Sequence, residues 1–123
     1  MIRVGVAGAA GRMGMATCAA IEAADDLELA GRADPALGTT LASILGGCDV
    51  VVDFTTPDSA LANARECVAA GVHVVIGTTG FDAGALAAEL FDPRRLSAAA
   101  IGPDESAFLG AVAPVLADPV RRA

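Results

Sequence analysis

The strongest constraint on the fold is the regular alternation of short β-branched runs with longer alanine-rich segments. Strands are predicted over residues 1–8, 27–34, 48–54, 72–77 and, more weakly, 96–102. Helices are predicted over residues 11–24, 55–71, 81–92 and from 104 onward, with one or two helical turns within 37–47. Because strands that alternate with helices through short connections pair in parallel, we predict an α/β fold: a doubly wound parallel sheet in a single domain over residues 1–123.

Several segments carry local signals of their place in this fold. In the first helix, apolar side chains at helical spacing predict the buried face: Met13, Thr17, Ala20, Ile21 and Ala24. In the helix over 55–71, Thr56 is the expected N-cap, Pro57 suits the first turn and Gly71 marks the end. The run at 48–54 is continuously apolar between aspartates, which is typical of a strand buried on both faces.

Three glycines at a spacing of three, Gly8, Gly11 and Gly14, connect the first predicted strand to the first helix. In this position Gly8 allows a tight turn, Gly11 lets an anion approach the backbone, and Gly14 lets the helix pack closely on the sheet. The unpaired N–H groups of the first helical turn favour a negatively charged ligand at the same point. The stretch predicts a pyrophosphate-binding turn of the Rossmann-like kind; by its spacing alone, a structural strand-to-helix turn is the alternative.

An acidic residue, Asp34, ends the second predicted strand, 20 residues after Gly14, which is close to the spacing of a ribose-binding acid. A carboxylate there accepts hydrogen bonds from the adenosine ribose and repels a 2′-phosphate. Arg32 is predicted on the same face of the strand, where it either reaches a 2′-phosphate or pairs with Asp34. The predicted cofactor is therefore NADH or NADPH, with NADH weakly favoured.

Small polar residues follow the next two predicted strands. Phe54 and Thr55 follow the strand at 48–54, and Gly77, Thr78 and Thr79 follow the strand at 72–77. Because open α/β sheets bind ligands at the carboxyl ends of their strands, these residues are candidates for the same site. An ordinary turn rich in small residues is the alternative.

Composition argues against several functions. The net charge is −7 and all eight basic residues are scattered arginines, so no nucleic-acid partner is predicted. We expect no membrane association and a cytoplasmic location, because no apolar run is long enough to span a bilayer and no signal peptide is evident. Three cysteines without C-x-x-C spacing and one histidine, His73, expected on a strand, predict inert thiols and no metal site.

Four stretches together resemble the nucleotide-binding domain of the 4-hydroxy-tetrahydrodipicolinate reductase (dihydrodipicolinate reductase) family. The stretches, in the family's order and at similar distances within residues 2–81, are VGVAGAAGRMG, AADDLELAGRAD, VVVDFTTPD and AAGVHVVIGTTGF. The resemblance implies an oxidoreductase that reduces a cyclic dicarboxylate with NADH or NADPH, a step toward diaminopimelate and lysine. It implies a cofactor site of Gly8, Ala9, Ala10, Gly11, Arg12 and Met13 at the pyrophosphate, Asp34 at the adenosine ribose, and Phe54, Thr55, Gly77, Thr78 and Thr79 at the nicotinamide half.

Two features depart from the family pattern. The family's Ala-Pro-Asn loop has no close counterpart in residues 101–108, where the proline is followed by two acids, so no role is assigned there. The His-His-x-x-Lys stretch that carries the family's proton donor and substrate-binding lysine is absent, because the sequence has one histidine and no lysine. We therefore expect the cofactor half alone, without the substrate-binding and tetramerisation domain, and predict no catalytic residue.

Three interpretations of such a chain stay open. It is the product of a truncated or altered reductase gene and inactive alone, a stand-alone dinucleotide-binding module, or an interaction subunit of a complete reductase. The first is favoured, because the resemblance stops abruptly near residue 82. Apolar residues near the C-terminus, Phe108, Leu109 and Val112, predict either a homo-oligomer or a mobile tail.

Overall fold

A computed structural model of the chain describes residues 1–80 and the strand at 98–100. The described strands are β1 (Ile2–Ala7), β2 (Leu27–Ala33), β3 (Val50–Asp53), β4 (His73–Ile76) and β5 (Ala98–Ala100). The described helices are α1 (Arg12–Ala23), α2 (Leu41–Leu45) and α3 (Pro57–Ala69), with a 3₁₀ turn at Pro35–Leu37. The helices predicted over 81–92 and from 104 onward, the loop at 101–108 and the apolar residues near the C-terminus lie outside the described residues.

The five strands pair in parallel in the order β2-β1-β3-β4-β5. The chain first moves outward from β1 to β2 and then returns to place β3 on the other side of β1. The strand order therefore reverses between β1 and β3, and the carboxyl ends of all five strands lie along one edge. The prediction of a doubly wound, Rossmann-like α/β sheet is confirmed.

Helices pack on both faces of this sheet, because successive strand side chains point to opposite sides. On one face α1 packs against β1, with a core of Val4, Val6, Ala9, Cys18 and Ile21. On the other face lie α2 and α3, with a core of Ala7, Leu41, Leu45, Cys48, Val51, Cys67 and Val72. The two apolar layers hold the loops at the carboxyl edge in fixed positions.

The buried face of α1 differs from the predicted one. The structure buries Gly14, Cys18 and Ile21, whereas Met13 is 53% exposed and Ala20 is also exposed. The prediction for Met13 and Ala20 was therefore wrong. The physical reason is Gly14: with no side chain, it lets this line of the helix approach the preceding turn, and residues four and seven positions later share its face.

Strand β3 and helix α3 follow their sequence signals in most respects. Val51 is fully buried under the α2 and α3 layer, but Val50 and Val52 on the α1 face are only half-buried, so burial on both faces is incomplete. Helix α1 contacts β1 and β2, which explains the difference. Thr56 occupies the N-cap, although its hydroxyl donates to Ser59 Oγ at 3.2 Å and accepts no helix N–H.

The remaining expectations concern single side chains. All three cysteines are buried free thiols. His73 is the exposed first residue of β4, at the amino edge of the sheet. Within residues 1–80 and 98–100, no cluster of three or more potential metal ligands forms, and none of the helices is long and apolar enough to cross a bilayer.

Candidate functional site

The turn between β1 and α1 is built on glycine geometry. Gly8 has a φ of +75°, which side chains rarely adopt, and a Cβ there would lie 2.6 Å from the carbonyl oxygen of Phe54. A Cβ on Gly14 would lie 2.0 Å from the carbonyl oxygen of Gly8, so α1 rests on the turn itself. A Cβ on Gly11 would meet only the carbonyl oxygen of Gly8, at 3.3 Å, so the outer side of Gly11 is open.

Strand β2 anchors the start of this turn. The N–H groups of Gly8 and Ala9 both donate to the carbonyl of Ala33, at 2.9 and 3.3 Å. The backbone donor of Ala9, expected at a pyrophosphate, is therefore already used within the protein. These two hydrogen bonds instead fix the position of the turn relative to the end of β2.

The first turn of α1 presents the backbone donors that remain. Gly11 is the N-cap, and the first helical bond runs from the N–H of Met15 to the carbonyl of Gly11 at 2.9 Å. Helical geometry thus supplies no carbonyl to the N–H groups of Arg12, Met13 and Gly14. These groups and the positive end of the helix dipole lie at the carboxyl edge of the sheet, where an anion is stabilised.

Asp34, the predicted ribose-binding acid, lies directly against the glycine turn. Its Oδ2 accepts from the N–H of Ala10 at 3.0 Å, and its Oδ1 accepts from the N–H of Ala36 at 2.8 Å. The half-buried carboxylate caps the 3₁₀ turn and holds the glycine turn in register with the end of β2. Since each carboxylate oxygen has a second lone pair, both can accept a further hydrogen bond.

Within the protein, Arg32 pairs with Glu22 and not with Asp34. Its Nη2 lies 2.7 Å from Glu22 Oε1, near the C-terminal end of α1, and it makes no described contact with Asp34. Pairing with Asp34 was therefore the wrong alternative. Because α1 starts at the carboxyl edge and runs away from it, this ion pair draws the guanidinium away from that edge.

Phe54, which follows β3, also contacts the carboxyl ends of β1 and β4. Its N–H donates to the carbonyl of Ala7 at 2.9 Å, and its own carbonyl lies against Gly8. Its ring covers Gly77, where a Cβ would lie 2.2 Å from Cε1. Beyond Gly77, Thr78 is half-buried and Thr79 exposed at the same edge. The structure thus brings every predicted site segment to the carboxyl edge of the sheet, on the two sides of the reversal in strand order.

A buried carboxylate next to Phe54 was missed as a site residue by sequence reasoning. Asp53 is fully buried, and its Oδ1 accepts from both the N–H and the hydroxyl of Thr55, at 2.7 and 2.5 Å. Its Oδ2 accepts from Asn63 Nδ2 on α3 at 2.9 Å, and the same amide lies 3.3 Å from Thr55 Oγ1. The available signal was an aspartate that ends an apolar run, followed by an asparagine on the inner side of the next helix.

The fold defines an α/β domain of the Rossmann type, a class in which dinucleotides bind at the carboxyl ends of the strands. The sequence matches the family described as dihydrodipicolinate reductase, N-terminus, over residues 2–90. It is 53% identical over 86 residues to the 4-hydroxy-tetrahydrodipicolinate reductase of Nocardia farcinica, and 52% identical over 87 residues to that of Thermobifida fusca. These matches cover 69% and 71% of this chain and 34% of each relative.

A solved structure agrees with these relatives. The dipicolinate-bound dihydrodipicolinate reductase from Paenisporosarcina sp. TG-14 superposes with a TM-score of 0.55 and 26% identity, covering 66% of this chain and 38% of that one. The chain belongs to the dihydrodipicolinate reductase family and corresponds to its N-terminal domain. It spans about a third of the length of the relatives it matches.

Proposed function

We propose that this chain binds a reduced pyridine nucleotide and forms the cofactor half of a 4-hydroxy-tetrahydrodipicolinate reductase. The observation that carries the proposal is the 3.0 Å hydrogen bond between the Ala10 N–H and Asp34, which sets an acid beside a glycine turn at the reversal in strand order. This is the place where dinucleotides bind in doubly wound sheets. The fold and the family both support a pyridine nucleotide as the cofactor class.

The proposed cofactor site divides into three parts along the carboxyl edge. Of the residues predicted at the pyrophosphate, Gly11, Arg12 and Met13 offer the open side of the glycine turn and the free N–H groups of α1. The N–H groups of Gly8, Ala9 and Ala10 donate to Ala33 and Asp34, so these three residues shape the turn that receives the pyrophosphate. The adenosine ribose hydroxyls donate to Asp34. The nicotinamide half lies against Phe54, Thr55, Gly77, Thr78 and Thr79. A nicotinamide held there would supply hydride chemistry, and the role proposed for these residues is to orient its ring.

Charge at the adenosine end supports NADH over NADPH. The Asp34 carboxylate accepts from ribose hydroxyls but repels a 2′-phosphate. The cation nearest in sequence, Arg32, is paired with Glu22 and directed away from the edge. The proposed order of affinity is therefore NADH above NADPH.

For the 123 residues alone, we propose cofactor binding without turnover. A dianionic substrate needs fixed positive charge and a proton donor. The sequence contains no lysine, and its single histidine lies at the opposite edge of the sheet. Reduction of 4-hydroxy-tetrahydrodipicolinate by this chain alone is therefore expected to stay at background.

Calorimetric titration with NADH and NADPH tests the proposal. Wild-type protein is expected to bind NADH more tightly than NADPH. Asp34→Ala is expected to weaken NADH binding by about tenfold, because hydrogen bonds to a charged group contribute about 1.5–3 kcal/mol each. NADPH binding falls less, since the same change removes repulsion of the 2′-phosphate.

The matched control is Asp49→Ala, which removes a carboxylate at the amino edge of the sheet. It is expected to leave both affinities unchanged. No heat and no rise in melting temperature at millimolar NADH would reject cofactor binding. An equal loss of NADH and NADPH affinity in Asp34→Ala would reject the account of nucleotide preference.

A further inference from the structure

A buried hydrogen-bond network around Asp53 holds the loop that follows β3. A fully buried carboxylate is costly unless hydrogen bonds satisfy it, and here three donors do so. Two of the donors belong to Thr55, the second residue after the strand. The third belongs to Asn63, which is fixed on the inner side of α3.

The network reaches the sheet edge through Phe54, the residue between Asp53 and Thr55. Holding both neighbours leaves Phe54 little freedom, and its carbonyl and ring then lie against Gly8 and Gly77. A shift of this loop would therefore change the surface between β1 and β4. The glycine turn follows β1 and touches this loop only where Gly8 meets the backbone of Phe54 and Thr55. Its hydrogen bonds run to the β2 side instead, to the carbonyl of Ala33 and the carboxylate of Asp34.

This division coincides with the expected division of a dinucleotide. A ligand bound across the reversal in strand order has its adenosine half over β1 and β2 and its other half over β3 and β4. We propose that Asp53 and Asn63 are positioning residues that set affinity for the nicotinamide half and leave binding of the adenosine half unchanged. The inference rests on the proposed cofactor binding.

The test compares NADH with ADP, which carries the adenosine and pyrophosphate but no nicotinamide. Asn63→Ala removes the amide donor while keeping a strong helix former in α3. The dissociation constant for NADH is expected to rise about five- to tenfold, because the loop at Phe54 loses one of the contacts that fix it in the binding position; tenfold corresponds to about 1.4 kcal/mol. The dissociation constant for ADP is expected to stay within about twofold, because the hydrogen bonds that hold the glycine turn to Ala33 and Asp34 are kept.

The matched control is Ser59→Ala, an exposed position on the same helix, which is expected to change neither constant. If Asn63→Ala does not fold, Asn63→Ser, which retains a donor, is measured instead, with the same selective loss expected at smaller size. Equal weakening of NADH and ADP, or no weakening of either, would overturn the inference. Wild-type protein that binds neither ligand would overturn the proposed function as well, so the two failures are distinguishable.

Discussion

Two charged residues near the end of β2 have different partners. Asp34 faces the glycine turn, whereas Arg32 reaches back to Glu22 on α1. The ion pair is a single contact between side chains that are 47% and 54% exposed. Such pairs contribute little to stability, so the consequence of this one lies in where it holds the guanidinium.

Glu22→Gln is expected to raise NADPH affinity about two- to fivefold, the range that corresponds to an exposed ion pair of about 0.5–1 kcal/mol. The released Arg32 can then turn toward a 2′-phosphate, while NADH affinity stays unchanged. Fluorescence titration with both nucleotides measures the effect. Glu28→Gln, at another exposed position, is the control. A gain that survives in the double variant Glu22→Gln/Arg32→Ala would contradict this explanation.

The close approach of Gly14 to Gly8 makes a second residue sensitive. A Cβ at 2.0 Å from a backbone oxygen cannot be accommodated by a side-chain movement, so the turn or the helix must shift. Gly14→Ala is expected to lower the free energy of unfolding by about 3 kcal/mol, at the upper end of overpacking costs. Urea denaturation monitored by circular dichroism measures it.

Gly46 provides the matched comparison for this substitution. It has a φ of −63°, and a Cβ there would have no neighbour within 4 Å. Gly46→Ala is expected to be neutral or to stabilise by less than about 1 kcal/mol. Equal destabilisation by both substitutions would show that the Gly8–Gly14 contact is not the cause.

Among the structural elements, β1 and the segment that leads into β3 are joined at the amino edge by an ion pair. Arg3 donates to Asp49 through its backbone N–H at 2.8 Å and through Nε and Nη2 at 3.1 and 2.7 Å. The side-chain hydrogen bond, followed by the backbone one, lowers the pKa of Asp49 to about 2 from its ordinary 3.8. This ion pair therefore lies at the edge of the sheet opposite the proposed cofactor site.

The lowered pKa predicts a pH dependence of stability. A carboxyl group whose pKa is lower in the folded state stabilises the fold above its unfolded pKa, and this contribution is lost as pH falls toward the folded value. Wild-type protein is therefore expected to lose stability between about pH 4 and pH 2 more steeply than Asp49→Asn. Thermal melts across this range measure the difference. Parallel curves for the two proteins would contradict the role of Asp49.

Across the whole molecule, sequence reasoning was most successful where local signals and tertiary packing agree. The alternation of strands and helices correctly predicted the parallel sheet, and the structure places Asp34, at the end of β2, beside the glycine turn. Sequence reasoning failed where the partner is distant in the chain. Arg32 pairs across 10 positions with Glu22, and Asn63 reaches Asp53 from a separate helix, contacts that no periodicity encodes.

The burial of all three thiols has a practical consequence. Cys18 lies on the buried face of α1, whereas Cys48 and Cys67 lie in the opposite layer. Burial together with the charge of Asp53 raises the pKa of Cys67 to about 12. A protonated, enclosed thiol does not react with a maleimide until the surrounding layer opens. The rate at which a maleimide modifies Cys18 therefore reports opening of the α1 layer, and the rates for Cys48 and Cys67 report opening of the α2 and α3 layer. No cysteine has to be introduced for this measurement.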